Sequence, residues 1–74
     1  NDHQIYPNPF NDFLNISDIK NVKSVSVLDV SGKMVKTFEK PTSTLQLSEL
    51  NAGTYVVVLM VNDGVKKSFK VIKK

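Results

Sequence analysis

The sequence contains no cysteine, no arginine and no tryptophan, and its only histidine is His3. Without cysteine, the chain is neither a disulfide-stapled miniprotein, nor a cysteine-ligated zinc finger, nor a thiol enzyme. A single histidine close to the first residue argues against a serine-histidine-aspartate triad and a multi-histidine metal site. Proteins that bind nucleic acid use arginine for bidentate contacts with bases and phosphates, so we expect no nucleic-acid partner.

Other chemical signatures are also scarce. No apolar run approaches the roughly 18 to 20 residues of a membrane span, so we expect no membrane insertion. The three glycines are isolated, which is not the pattern of a phosphate-binding loop, and the seven acidic residues are scattered. A weak calcium site at Asn8, Asn11 and Asp12 is one interpretation of the first loop, but such residues more often form turns. We therefore expect no enzyme, no metal and no cofactor.

The chain has 74 residues, of which 41% are hydrophobic, so it can form one small domain with its own core. It begins with a polar segment that does not resemble a secretion signal and has no initiator methionine, which predicts a fragment of a longer protein. We assign residues 1–4 to the remnant of an upstream linker and residues 5–74 to the domain.

Turn-forming residues interrupt short runs rich in valine, isoleucine, phenylalanine and tyrosine. This spacing predicts about seven short antiparallel strands in a small, compact β-sandwich, an all-β fold. Pro7, Asn8 and Pro9 form a stiff loop, because each proline fixes its own φ and lacks a backbone donor. Gly32 supplies a hairpin turn. The apolar alternation of the strand before it slips near residues 28–29, which predicts a β-bulge there.

Two segments have unusual surfaces. The strand over residues 54–61 is apolar on both faces, so Val56, Val58 and Met60 are either shielded by lysine stems or a loop, or dock on a partner. The last nine residues contain five lysines and no acid. On chemistry alone, this run is more typical of a solvated edge strand that resists aggregation than of a recognition tag.

Four motifs, in this order and at this spacing, resemble the C-terminal sorting domain (type A) of the type IX, or Por, secretion system. They are Tyr-Pro-Asn-Pro-Phe at residues 6–10 with Leu-Asn-Ile at 14–16, the segment 25–35, the Gly-x-Tyr segment within 50–57, and the lysine-rich ending at 67–74. The resemblance covers residues 5–74. It implies a seven-stranded immunoglobulin-like sandwich that serves as a secretion signal in Bacteroidetes-type bacteria.

The resemblance also implies a route and partners. An attached N-terminal cargo domain reaches the periplasm, the sorting domain directs it to the outer-membrane translocon, and a shuttle protein receives it there. A sortase then usually removes the domain and anchors the cargo at the cell surface, or the cargo is secreted. The exposed edge strand also suggests pairing of two copies as a homodimer.

With the resemblance in place, the lysine-rich ending becomes a candidate recognition surface, by strand addition or by charge. Gly53 and Tyr55 are expected to shape the domain, because glycine permits a tight backbone and a buried tyrosine hydroxyl needs a partner. The residues assigned to recognition are Lys66, Lys70, Val71, Ile72, Lys73, Lys74, Val56, Val58 and Met60. The residues assigned to the motifs are Pro7, Asn8, Pro9, Gly32, Gly53 and Tyr55.

Two alternatives remain open at this stage. An accessory module that binds carbohydrate, attached to a secreted enzyme, would present a row of exposed aromatic residues. A passive spacer between domains would work at any position in a protein, whereas a sorting domain must end it.

Overall fold

A computed structural model describes residues 4–17, 19–62 and 64–74. Two of the predicted turns include Asp18 or Asp63, which lie outside these residues, as do Asn1, Asp2 and His3. The described elements are seven strands, which agrees with the predicted number, and one short 3₁₀ helix, Ile19–Asn21, which the sequence did not predict. The strands are β1 (Ile5–Tyr6), β2 (Phe13–Ile16), β3 (Val22–Asp29), β4 (Met34–Phe38), β5 (Thr44–Gln46), β6 (Gly53–Val61) and β7 (Lys66–Lys73).

The strands form two antiparallel sheets. The smaller sheet has the order β1-β2-β5 and the larger has the order β4-β3-β6-β7. The chain crosses from the small sheet to the large one after β2, and it crosses again before and after β5. Such crossings between two sheets around one core are typical of an immunoglobulin-like β-sandwich. The predicted fold class is confirmed.

The core lies between the inner faces of the two sheets. Along β6, Tyr55, Val57 and Leu59 alternate inward, as the period of two in a strand requires. Fully burying a valine, leucine or phenylalanine contributes about 1.5 to 3 kcal/mol, so these positions supply most of the driving force for folding. The buried apolar residues are Phe10, Leu14, Ile16, Val22, Val25, Val27, Leu45, Leu47, Tyr55, Val57, Leu59 and Val71.

The pairing of β3 with β4 is irregular where the sequence predicts a bulge, but the extra residue lies on the other strand. Val27 pairs with Lys36 and Leu28 pairs with Met34, so Val35 on β4 has no opposite residue. Met34 consequently shares the outer face with Leu28, while Lys36 shares the inner face with Val27. The bulge predicted near residues 28–29 is therefore confirmed in position, with the extra residue on β4, and Leu28 is an outward apolar residue of β3.

The Lys36 side chain on β4 makes two contacts at the edge of the larger sheet. The Lys36 ammonium forms an ion pair with Glu49 and lies 5.5 Å from the centre of the Phe38 ring, which ties β4 to the segment between β5 and β6. The hydrogen bond from Lys36 lowers the pKa of the Glu49 carboxyl. Both groups are partly exposed, so screening by solvent keeps the contribution of this pair to stability small.

The hairpin between β3 and β4 has the predicted glycine turn. Gly32 has a φ of 89°, which a residue with a side chain rarely adopts. The Asp29 carboxylate accepts hydrogen bonds from the Ser31 hydroxyl (2.6 Å), the Ser31 N–H (2.9 Å) and the Lys33 N–H (3.1 Å). The Ser31 hydroxyl is the largest cause of the lowered pKa of Asp29, and the two backbone donors reinforce it.

Candidate recognition surface at the last strand

The Pro-Asn-Pro loop, residues 7–9, pairs with the last strand. The Asn8 side-chain amide donates to the Lys70 carbonyl oxygen (3.1 Å), and its carbonyl oxygen accepts from the Ile72 N–H (3.0 Å). Pro7 and Pro9 have no N–H of their own, so the Asn8 side chain supplies the donor and the acceptor that a paired strand would otherwise present. The loop thus acts as a short substitute for a neighbouring strand of β7.

Phe10 continues this contact with its backbone. Its N–H donates to the Ile72 carbonyl oxygen (2.8 Å), and its own carbonyl accepts from the Lys74 N–H (2.9 Å). The Phe10 ring is fully buried in the core, so it anchors the loop. Residues 8–10 therefore cover the outer edge of β7 from Lys70 to the last residue, more than 60 residues away in sequence.

The sequence predicts a stiff loop but not this long-range pairing. The one signal that pointed to it is an asparagine between two prolines, since its amide is the only side chain on residues 7–9 that has both a donor and an acceptor.

The two faces of β7 divide the residues assigned to recognition. Lys66, Lys70 and Ile72 point outward and are exposed. Val71 is 1% exposed and Lys73 is 9% exposed, so both lie on the inner face. In the folded domain, Val71 belongs to the core, and the Lys73 stem closes the end of the sandwich opposite Gly53.

The apolar residues of β6 lie beside the outward lysines. Val56 pairs with Lys70 and Met60 pairs with Lys66, so the two candidate sets form one continuous surface. Val56, Val58 and Met60 are half-buried on this outer face. The same face holds an open groove of about 450 Å³. Its lining residues are Ser24, Ser26, Leu28, Met34, Val58, Met60, Lys66 and Ser68.

Gly53 and Tyr55 lie at the start of β6, away from this groove. Gly53 has a φ of +156°, in a region that favours glycine, and a Cβ there would meet no neighbour within 4 Å. The Tyr55 ring is 8% exposed, and its hydroxyl donates to the Asn51 carbonyl oxygen at 2.7 Å. This contact resembles the tyrosine corner of immunoglobulin-like domains, in which a tyrosine near the start of a strand bonds the preceding backbone. Both residues shape the sandwich rather than the outer face.

Within the described residues, no group of three or more histidine, cysteine, aspartate or glutamate side chains is placed to hold a metal ion. In the first loop, the Asn8 oxygen considered for calcium accepts the hydrogen bond from Ile72. Among the described residues, no helix is long and apolar enough to cross a membrane.

The family model described as "Secretion system C-terminal sorting domain" matches residues 4–74. A search of curated proteins gave no match. Among solved structures, PorZ, an essential surface component of the type IX secretion system of Porphyromonas gingivalis, is similar with a TM-score of 0.74 and 19% identity. That likeness covers 97% of this chain and 11% of PorZ, so the chain spans about a tenth of PorZ.

CopC from Methylosinus trichosporium OB3b has a TM-score of 0.49 and 21% identity, over 97% of this chain and 91% of CopC. The likeness to PorZ agrees with the sandwich fold, whereas the family model identifies the sequence itself over almost its whole length. The chain therefore belongs to the secretion system C-terminal sorting domain family, whose members are sorting signals of type IX secretion.

Proposed function

We propose that this domain directs its attached protein to the type IX machinery through the outer surface that β6 and β7 share. The family match over residues 4–74 establishes the sorting function and a destination at the outer membrane or cell surface. The single observation that supports this surface is the adjacency of outward lysines on β7 to half-buried valines and methionine on β6.

The chemistry of this surface suits a protein partner. Of the five lysines in the last nine residues, Lys66, Lys70 and Lys74 are exposed and Lys73 is buried, and the residues before this segment are slightly acidic as a whole. A concentrated positive patch steers an acidic partner toward one face and disfavours basic ones. Apolar side chains beside the charges add area that a partner can bury.

The route that we propose follows the type IX pathway. The cargo crosses the periplasm, a shuttle protein at the outer membrane receives the sorting domain, and a sortase cuts upstream of it. The position of the Pro-Asn-Pro loop agrees with this order, because Asn8 and Phe10 fasten the start of the domain to its end. A cut upstream of Gln4, whose carbonyl accepts a hydrogen bond from the Ser17 N–H, would leave β1 and the rest of the sandwich intact.

Charge reversal with a matched control tests the recognition surface. In a secreted reporter fusion, Lys66, Lys70 and Lys74 are changed to glutamate together. The control changes Lys20, Lys23 and Lys40, which are exposed on other parts of the domain, to glutamate. Both variants have the same net charge.

We expect export of the first variant to fall by about ten-fold or more, because each introduced glutamate repels the acidic partner that the lysine attracts. The control should export near the parental level. Equal export of both variants, each shown to be folded by its thermal transition, would contradict the assignment to β7. Equal loss in both would show that the machinery senses overall charge.

A further inference from the structure

β7 is the last strand of its sheet, and its backbone groups alternate between its neighbour and its outer edge. Val61 N–H donates to the Val65 carbonyl at the start of the hairpin, which fixes the phase of the ladder. Odd-numbered residues of β7 therefore bond to β6, and even-numbered residues point their N–H and C=O groups outward. The bonds of Lys70 and Ile72 to the Pro-Asn-Pro loop show this directly.

Only part of this outer edge is covered. Residues 8–10 occupy it from the Lys70 carbonyl to the Lys74 N–H. Toward the hairpin, in the part of the chain that the structure describes, no partner takes the outward groups of Lys66 and Ser68 or the Lys70 N–H. These three residues are also exposed. Proteins usually block such an edge, because it can pair with another chain.

We infer that this open edge, from Lys66 to Lys70, receives an extended segment of the receiving protein that bears carboxylates. The inference rests on the proposed function and gives the contact a geometry: main-chain hydrogen bonds to Lys66, Ser68 and Lys70 extend the sheet by one strand. The lysine side chains flank Ser68 on the outer face, where they meet acidic side chains of the added strand. The covered part of the edge limits the pairing to about five residues, or about 17 Å.

Charge disfavours a second copy of β7 as the occupant. An antiparallel pair centred on Ser68 would place Lys66 of each copy opposite Lys70 of the other. A parallel pair in register would place each lysine opposite itself. Like charges directly across a ladder are destabilising, whereas carboxylates at those positions form favourable pairs.

A single backbone change tests the inference. Ser68→Pro removes an N–H that points to the outer edge and leaves the bonds of β7 to β6 in place. Proline is tolerated where the missing N–H faces solvent, and Lys67 before it is already extended. Ser68→Ala removes only the hydroxyl. Both are placed in the reporter fusion, and export is compared in a competent strain and a translocon-deficient strain.

We expect Ser68→Pro to export at least about ten-fold less than the parent, since an added strand loses a hydrogen bond and meets the proline ring. Ser68→Ala, which keeps the N–H, should be exported better than Ser68→Pro, and the difference between the two isolates the backbone contact. Tyr55→Phe, which lowers stability without touching the edge, should also export and so separates edge pairing from instability. If Ser68→Pro does not fold, Lys66→Pro at the first residue of the strand replaces it.

The outcomes are distinct. A folded proline variant that is exported like the parent overturns the edge contact and leaves the proposed function standing. A parent fusion that stays inside the competent strain overturns the proposed function and the edge contact together. Sedimentation of the purified domain as a dimer that Ser68→Pro converts to a monomer would assign the edge to a second copy and overturn the inference.

Discussion

Replacing Asn8 with alanine removes the side chain that joins the first loop of the domain to its last strand. Asn8 Nδ2 donates to the Lys70 carbonyl at 3.1 Å, and Asn8 Oδ1 accepts from the Ile72 N–H at 3.0 Å. The backbone bonds of Phe10 remain, so the loop should stay near β7 while losing two of its four hydrogen bonds to the strand.

The expected cost follows from where these groups lie. A neutral hydrogen bond contributes a net free energy of about 1 kcal/mol, and both bonds of Asn8 are exposed, so water replaces part of what is lost. We expect the free energy of unfolding to fall by about 1 to 2 kcal/mol. A domain of this size has a total of about 4 to 11 kcal/mol, so the variant still folds. Its melting temperature should drop by about 4 to 8 °C per kcal/mol.

Hydrogen exchange gives the sharper assay, because the effect is local. The Ile72 amide is bonded to Asn8, whereas the Val71 amide points to β6. In Asn8→Ala, the exchange rate of Ile72 relative to that of Val71 should rise by about ten-fold or more. Asn11→Ala, an exposed asparagine in the same region, is the control and should leave this ratio unchanged. An unchanged ratio in Asn8→Ala, or equal acceleration of both amides, would refute the role of Asn8 at the strand edge.

Three further predictions concern the sandwich itself. Tyr55→Phe should lower the free energy of unfolding in urea by about 1 to 2 kcal/mol by removing the bond to the Asn51 carbonyl, whereas Tyr6→Phe, on an exposed ring, should be neutral. Gly53→Ala should lower the free energy of unfolding by about 1 to 3 kcal/mol, because alanine is strained at a φ of +156°. An equally stable variant would show that the backbone relaxes there. Asp29 has a lowered pKa, so its stabilising effect is present above the ordinary value of about 3.9 and is lost as pH falls through the lower folded value. Denaturation midpoints of Asp29→Asn and the parent should therefore differ at pH 7 and converge below about pH 4, and a constant difference would contradict the turn contact.

Local patterns were enough to predict the fold class. Alternation of apolar residues, short turns and a glycine at position 32 are local signals, and they predict the strand count and the hairpins. The bulge between β3 and β4 shows their limit. The sequence of β3 alone does not reveal on which strand the extra residue lies, because a bulge is a property of a pair. Only the pairing of Leu28 with Met34 identifies Val35 as the extra residue.

The candidate surface was predictable in composition but not in arrangement. The lysines of the last strand and the apolar positions of β6 are visible in the sequence, and their adjacency follows once the two strands form a hairpin. The burial of Val71 and Lys73 depends on which face of β7 meets the core. The bonds of Asn8 to residues more than 60 positions away depend on the whole topology, which no local pattern contains.

The most direct test of the account is export of a fluorescent protein by this domain. Residues 1–74 are fused to the C-terminus of a reporter that enters the periplasm, in a bacterium with a working type IX system and in its translocon-deficient twin. The account predicts fluorescence at the surface or in the medium of the competent strain alone. Reporter that remains in the periplasm of both strains, with the domain shown to be folded, would contradict it.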